Sequence, residues 1–276
     1  RPSKVWRGNS VKDLYRPTGV QRLSQTGRTV EADHLAKETL LRLNDANGTF
    51  ATRLGTPSHL EALFIGHCVC EGYTIEENPV VSIESTLAGG YDITSVQTVF
   101  MANQNLDRTR IVTSSCGACD SSGLDSLIDG LPGFGNEHSI VTLNELNEAF
   151  KQMNAQQDGF AHTGGMHGAA LYVPGSNVLH VAEDIGRHNA VDKSVGLALL
   201  GDGIPNDAIL LLSGRCGWDI VAKAARAGIG TLACRGACST LAADAARSLG
   251  MRIYSFVKST NCVAIGILGD DLEDKP

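Results

Sequence analysis

The residues best suited to chemistry are Thr113-Ser114-Ser115-Cys116-Gly117-Ala118-Cys119, a CxxC that follows an apolar stretch and opens toward a helix. Amides at a helix N-terminus stabilise an anion and lower a thiol pKa, and this spacing keeps the second thiol within reach of the first. Cys116 and Cys119 could therefore be a nucleophile and its assistant, half of a zinc site, a redox disulfide, or a purely structural pair. Zinc requires four protein ligands in a structural site, or three with water in a catalytic one. Cys68/Cys70 and Cys234/Cys238 lack regular zinc-pair context, although folding could bring His67, His162 or His167 near the CxxC. A nucleobase deaminase would carry Pro-Cys-x-x-Cys, and residue 115 is serine. A thioredoxin-like reading is weakened because the CxxC is not set in an early βαβ unit.

Three further polar groups stand where apolar runs end. Glu183-Asp184-Ile185-Gly186-Arg187-His188-Asn189-Ala190-Val191-Asp192-Lys193 follows one such run and enters a helix. Asp184, Gly186, Arg187 and His188 are candidates there, because ligands bind at the C-terminal edge of open α/β sheets and helix N-termini suit phosphate. The competing reading is a set of satisfied caps and ion pairs. In His162-Thr163-Gly164-Gly165-Met166-His167-Gly168, Gly164 and Gly165 permit close backbone approach and His167 offers hydrogen-bond or proton chemistry. It matches no Walker or Rossmann spacing. Ser213-Gly214-Arg215 repeats the strand-end theme at the next junction, and together the three point to one elongated pocket.

The elements that must position these residues are legible as periodicity. Apolar runs at 178–182, 208–212, 231–234 and 252–257 alternate with helical patterns at 187–200, 217–227 and 239–249. Unbroken apolar strands between helices indicate a sheet buried on both faces, and Gly228 and Gly250 stand where helix C-caps belong. The run 262–268 follows too closely for a parallel crossover, so it should return antiparallel. Thr142 and Glu145 have capping-box spacing ahead of Leu143, Leu146, Phe150 and Met153. Upstream, Asn47-Gly48 signals a hairpin within 35–50, Ser58/Glu61 a second capping box before a helix ending near Gly72, and 95–101 and 109–114 read as strands. The expected organisation is a basic arm over 1–30, a mostly β subdomain over 31–120 ending in the CxxC, a flexible connector over 121–140, and an α/β domain over 141–276.

These pieces, in this order, resemble the FdhD/NarQ family of formate dehydrogenase accessory sulfurtransferases. The resemblance is carried by Glu71-Gly72, SSCGAC at 114–119, HTGGMHGAAL at 162–171, EDIGRHNAVDK at 183–193 and SGR at 213–215, and it covers roughly residues 30–268. It implies a cytidine-deaminase-like α/β core, a homodimer, and a sulfur carrier in which Cys116 bears a persulfide with Cys119 as assistant. By the same resemblance, sulfur arrives from a cysteine desulfurase and passes to the bis-molybdopterin guanine dinucleotide cofactor of molybdenum, the bound substrate, which is destined for formate dehydrogenase. The family's cofactor-binding stretch corresponds to Phe256-Val257-Lys258-Ser259-Thr260-Asn261. Lys258 stands where an arginine is the family's expectation, and a lysine lacks the two-pronged phosphate contact. Cys216, Cys234 and Cys238 also depart from the family pattern.

Composition agrees with a globular chain. With 276 residues, 42% of them hydrophobic, a substantial core can form, and no apolar run approaches the length of a membrane span. Eight cysteines at irregular spacing are too sparse for a disulfide scaffold, so a reducing cytoplasm is the expected compartment. Residues 1–30 hold seven Lys/Arg against Asp13 alone, +6 in a chain of −7. With few aromatics this favours a solvated arm over nucleic-acid binding, and no permanently bound metal is expected. Two other functions fit the same residues: a non-catalytic molybdenum-cofactor chaperone, and a zinc-dependent hydrolase of deaminase-like fold.

Overall fold

Leu41 and Leu43 alternate with less buried neighbours on a strand whose inward face is fully shielded, the period-2 pattern of a half-buried sheet. The computed structural model describes residues 14–74, 81–88, 91–98, 103–104, 128–135 and 141–266. In the N-terminal part, β1 (Tyr15–Ser24) and β2 (Gly27–Ala36) form an antiparallel hairpin. A second hairpin joins β3 (Thr39–Asp45) to β4 (Gly48–Gly55), with Gly48 at φ 117, a conformation that favours glycine. Helix α1 (Leu60–Glu71) and β5 (Tyr73–Thr74) follow, then β6 (Val81–Ala88), β7 (Tyr91–Thr98) and β8 (Asn103–Gln104). The resulting four-stranded sheet has the order β4-β3-β7-β6, with β3 and β7 parallel. Leu43, Phe64, Ile65, Cys68 and Val96 fill the space between this sheet and α1.

The C-terminal part begins with α2 (Leu143–Ala155), whose Thr142/Glu145 capping box is complete, and the short α3 (Asp158–Thr163). Strands β9 (His167–Tyr172) and β10 (Val178–Asp184) then lead to α4 (Arg187–Leu200) and β11 (Ile209–Leu212). They are followed by α5 (Trp218–Arg226), β12 (Thr231–Cys234), α6 (Thr240–Leu249), β13 (Arg252–Ser255) and β14 (Val263–Gly266). The sheet order is β10-β9-β11-β12-β13-β14. β10 to β13 point the same way, while β9 and β14 run against their neighbours. Alternation sends Leu210, Leu212 and Leu232 to the face covered by α4, α5 and α6. Ile209, Leu211 and Ala233 go to the face covered by α2. Apolar contacts on both faces explain why these strands lack polar alternation.

The two parts share a helix contact made at glycine. A Cβ on Gly66 of α1 would overlap the Asp192 carbonyl of α4, and one on Gly196 would overlap that of Ala62. Beside this contact Lys223 Nζ meets Asp192 Oδ1 at 2.7 Å and Glu71 Oε1 at 2.7 Å, and His67 Nδ1 lies 3.2 Å from Asp192 Oδ2. Three helices are thereby joined through buried charge, with each carboxylate facing a cation.

Several local expectations change in the folded chain. Ser58 does not cap α1: its hydroxyl accepts from Lys193 Nζ at 3.1 Å, and His59 takes the N-cap position at φ 48 with no side-chain cap bond. Gly72 does end α1, at φ 73. The basic segment expected over 1–30 runs into the β1–β2 hairpin. Its strands are largely exposed, so no apolar alternation announces them, and Arg22 instead pairs across the hairpin with Glu31 and with Asp33 at 3.2 Å. Within the 121–140 connector, Ile128, Leu131 and Phe134 pack on the main core, and Phe134 N donates to Leu249 O at 2.7 Å. The strand expected over 109–114 lies outside the described residues. The antiparallel return of the last strand is present as β14.

Candidate ligand-binding edge

Because β10 to β13 share a direction, their C-terminal ends and the start of β9 lie along one edge of the sheet. That edge collects Asp184, His167, Ser213 to Arg215, Arg235 and Phe256 to Asn261. The loops there continue the sheet's pairing beyond the strands. Arg235 N donates to Leu212 O at 3.1 Å, Gly236 N to Gly214 O at 3.1 Å, and Phe256 N to Gly236 O at 3.0 Å. Gly236 is required by this stacking, since a Cβ there would lie 2.8 Å from the Gly214 carbonyl oxygen. Ser213 ties the edge to β9 twice, accepting from Gly168 N through Oγ at 2.8 Å and donating its own N–H to Gly168 O at 3.0 Å.

His167 pairs across the ladder with Asp184 and packs beside Gly214. Its imidazole pKa is lowered by burial first and by the Arg187 charge next; Asp184 opposes, and Arg215 adds to the depression. Both arginine charges thus bear on this ring. Arg187 and His188 open α4, preceded by Gly186 at its N-cap. His188 Nε2 contacts Asp219 Oδ2 closely, and Arg187 reaches the same carboxylate at 3.6 Å. Burial lowers the His188 pKa, with Asp219 pulling the other way. Arg187 Nε and Trp218 Nε1 are buried and find no acceptor among the described residues, which leaves two donors at this end of the edge.

Asp184 serves the scaffold. Fully buried, it accepts from Thr56 N at 3.0 Å, Lys193 Nζ at 2.6 Å, Gly186 N at 2.7 Å and Asn189 Nδ2 at 3.1 Å. These four donors occupy both oxygens, and the carboxylate fixes the turn that presents Arg187. Glu183 acts similarly, accepting from Gly159 N at 2.8 Å and Phe160 N at 2.7 Å at the start of α3. Gly164 ends α3 at φ 63, and Gly165 N donates to Thr163 Oγ1 at 3.1 Å.

At the other end of the edge the 256–261 stretch divides in two. Val257 is fully buried, whereas Phe256 is 43% exposed at φ 50 and Lys258 to Asn261 are exposed. Lys258 lies over the Phe256 ring at 5.8 Å, and its N–H donates to Asn261 O at 2.9 Å. A cleft of about 880 Å³ opens beside it, lined by Asn144, Asn147, Lys151, Arg235, Lys258 and Ser259, with Glu148 at the rim. Arg235 is held in place by three contacts: its guanidinium sits 4.4 Å from the Phe150 ring centre and donates to Val257 O at 2.7 Å and Asn147 Oδ1 at 3.2 Å. Sequence reading did not single out Arg235, Lys151 or Asn147. Cys234-Arg235-Gly236 does repeat the pattern of a cation beside glycine at a strand end, which is the signal that identifies it.

Cys116 and Cys119 lie outside the described residues. Upstream of them, His59-Leu60-Glu61 has the His-x-Glu spacing of zinc deaminases. His59 is mostly buried, with its pKa lowered to about 4 by burial and by Lys193.

A six-stranded mixed sheet with helices on both faces and a cation-lined strand-end edge defines an α/β protein. The same fold occurs in a crystal structure from Desulfotalea psychrophila titled "putative formate dehydrogenase accessory protein". That match has a TM-score of 0.69 and 20% identity, over 92% of this chain and 97% of that one. The family model described as the FdhD/NarQ family matches residues 36–264, and the chain belongs to this family. Among curated relatives, "Sulfur carrier protein FdhD" of Streptomyces coelicolor is 33% identical over 88% of this chain and 90% of its own length. The protein of that name from Burkholderia mallei is 31% identical over 93% and 99%, and that from Thermoplasma volcanium 31% over 88% and 90%.

Proposed function

We propose that this protein carries sulfur as a persulfide on Cys116 and delivers it to the bis-molybdopterin guanine dinucleotide cofactor before that cofactor enters formate dehydrogenase. The observation that carries the reading is the set of full-length relatives named as sulfur carriers, combined with a CxxC in a chain whose sheet edge is rich in anion-binding groups. A cysteine desulfurase supplies the sulfur: its persulfide is attacked at the outer sulfur by the Cys116 thiolate, and the desulfurase thiolate leaves. Cys119, the second cysteine of the CxxC, is its assistant. The acceptor is large and anionic, and its phosphates suit Arg187, Arg215, Arg235 and Lys258, with arginine offering the two-pronged contact that lysine lacks. Phe256, exposed and in contact with Lys258, provides an apolar face for a planar ring. A homodimer working in the cytoplasm completes the reading.

The test is intact-mass analysis after incubation with a cysteine desulfurase and cysteine. Wild type should gain about 32 Da per sulfur, reversibly under reductant, and Cys116→Ala should gain none at that site. Cys116→Ala should also fail to activate formate dehydrogenase. A variant that adds no sulfur yet still activates the client would replace the carrier reading with that of a cofactor chaperone.

A further inference from the structure

A second thiol pair sits in the strand-end loops, away from the CxxC in sequence. Cys216 follows β11 and Cys238 follows β12, and the two residues face each other in an isolated parallel β-bridge. Cys216 N donates to Ala237 O at 3.0 Å and Ser239 N donates to Cys216 O at 3.1 Å, so Cys216 is hydrogen-bonded to both neighbours of Cys238. That arrangement sets the two side chains next to each other on one face of the ladder. Strands paired this way lie about 4.8 Å apart. A disulfide needs Cα atoms about 4.4–6.8 Å apart, a range the bridge satisfies without moving the backbone.

Burial divides the pair into two roles. Cys216 is 1% exposed, while Cys238 is only partly buried at the mouth of the loop, directly before the Ser239 N-cap of α6. The leading electrostatic influence on both thiols is a hydrogen bond between them, and the Cys238 thiol also lies 3.4 Å from Ser239 O. The bond between the thiols holds Cys238 below the ordinary cysteine pKa, burial opposes it, and Arg247 assists. The same bond and then burial push Cys216 well above the ordinary value. Cys234, the last residue of β12, is raised to about 12 by burial and by Cys238, and its thiol donates to Gly236 O at 3.2 Å. Among the described residues no group of three His, Cys, Asp or Glu side chains converges as metal ligands would.

We propose that Cys238 and Cys216 form a peroxide-reactive dithiol that closes reversibly into a disulfide linking the loops after β11 and β12. The Cys238 thiolate attacks one peroxide oxygen, the O–O bond breaks, and hydroxide leaves, giving a sulfenic acid on Cys238. Cys216 then attacks that sulfur, its proton leaves with the hydroxyl as water, and the S–S bond forms. Two thiols are oxidised and one peroxide is reduced to two waters, with solvent supplying the remaining proton. The bond would lie next to Gly214, Arg215 and Gly236, in loops already stacked by hydrogen bonds, so oxidation would fix the geometry of the ligand-binding edge.

The experiment is peptide mapping of the full-length protein after treatment with hydrogen peroxide and then alkylation, with and without reductant. Trypsin separates the three thiols into Cys216–Lys223, Ala227–Arg235 and Gly236–Arg247. The expected product is the first peptide linked to the third, lighter than their summed masses by about 2 Da and abolished by dithiothreitol. Cys216→Ser should instead leave a sulfenic acid on Cys238 that dimedone traps, while Cys234→Ser should form the link as wild type does. A link through Cys234, a link found only between chains, or no link at peroxide levels that oxidise other thiols in the protein would overturn the proposal. Because the readout is a mass on named peptides, it is independent of whether Cys116 carries persulfide.

Discussion

Lys193 and Asp184 meet at 2.6 Å, Nζ to Oδ2, with both side chains completely shielded from solvent. Lys193 also reaches Thr56 O at 2.9 Å and Ser58 Oγ at 3.1 Å, so one ammonium joins α4, the end of β10 and the loop before α1. This junction connects the N-terminal sheet to the edge that carries Arg187. Removing one partner of a buried pair leaves the other charge uncompensated. Lys193→Met should therefore cost about 3–5 kcal/mol, read as a lowered urea midpoint. A change under about 1 kcal/mol would show that the ammonium is not the connection described.

The glycine contact between α1 and α4 makes a steric prediction. Gly66→Ala and Gly196→Ala each place a methyl against a backbone carbonyl that cannot rotate away. Each should destabilise by about 1–3 kcal/mol or more, and because both act on one interface the double variant should lose less than the sum. Thermal unfolding of the four proteins checks both statements.

His59 gives a pH dependence with a defined sign. Its folded pKa is about 4 against the ordinary histidine value of 6.5, so between those values the unfolded chain binds more protons than the native one. Stability then falls as pH drops from about 6.5 toward 4 and this contribution levels off below. Glu71 behaves differently: burial raises its pKa, but Lys223 and His67 outweigh that and hold it at about 2. Its depressed pKa contributes stability above pH 4.5 that is lost as pH falls toward 2. Asparagine tolerates the left-handed backbone of residue 59. His167 and His188, also depressed, contribute to the same window, so His59→Asn should reduce the loss between pH 6.5 and 4 in denaturation curves while leaving the loss below pH 4.5 in place.

Arg187 and Arg215 both depress the His167 pKa. Arg187→Gln should raise it, and so should Arg215→Gln, each followed by NMR titration of the imidazole. An unshifted titration in both variants would mean that the guanidiniums do not converge on the ring and that the edge is not one site.

Arg235 tests the far end of the cleft. Arg235→Lys keeps the charge but loses the planar stack on Phe150 and one of two hydrogen bonds. Binding of a guanosine diphosphate probe should weaken by about tenfold, or about 1.4 kcal/mol, while Lys151→Ala, at the exposed rim on α2, should weaken it less. Equal losses would place the anion at the rim.

Periodicity alone located α4, β12, α5 and α6 almost to the residue, because each buried strand and each one-sided helix leaves a local apolar signature. Gly250 and the Thr142/Glu145 pair were equally legible, since a cap is a contact between near neighbours in sequence. The exposed β1–β2 hairpin left no such trace, and the HTGGMHGAAL segment, which reads as a glycine-rich turn, contains most of β9, inserted between β10 and β11. The sequence by itself determined which residues are chemically capable: the CxxC, the strand-end histidines and arginines, and the stretch at 256–261. Only the tertiary structure decided how they divide. Asp184, drawn into the interior by four donors, became scaffold. Arg235 gained a cleft because Phe150 and Val257 come from distant segments, and Cys216 met Cys238 because parallel strands bring residues 22 apart into register. Local patterns record burial and turns, whereas the partner of a polar side chain is set by sheet order, which no short stretch of sequence contains.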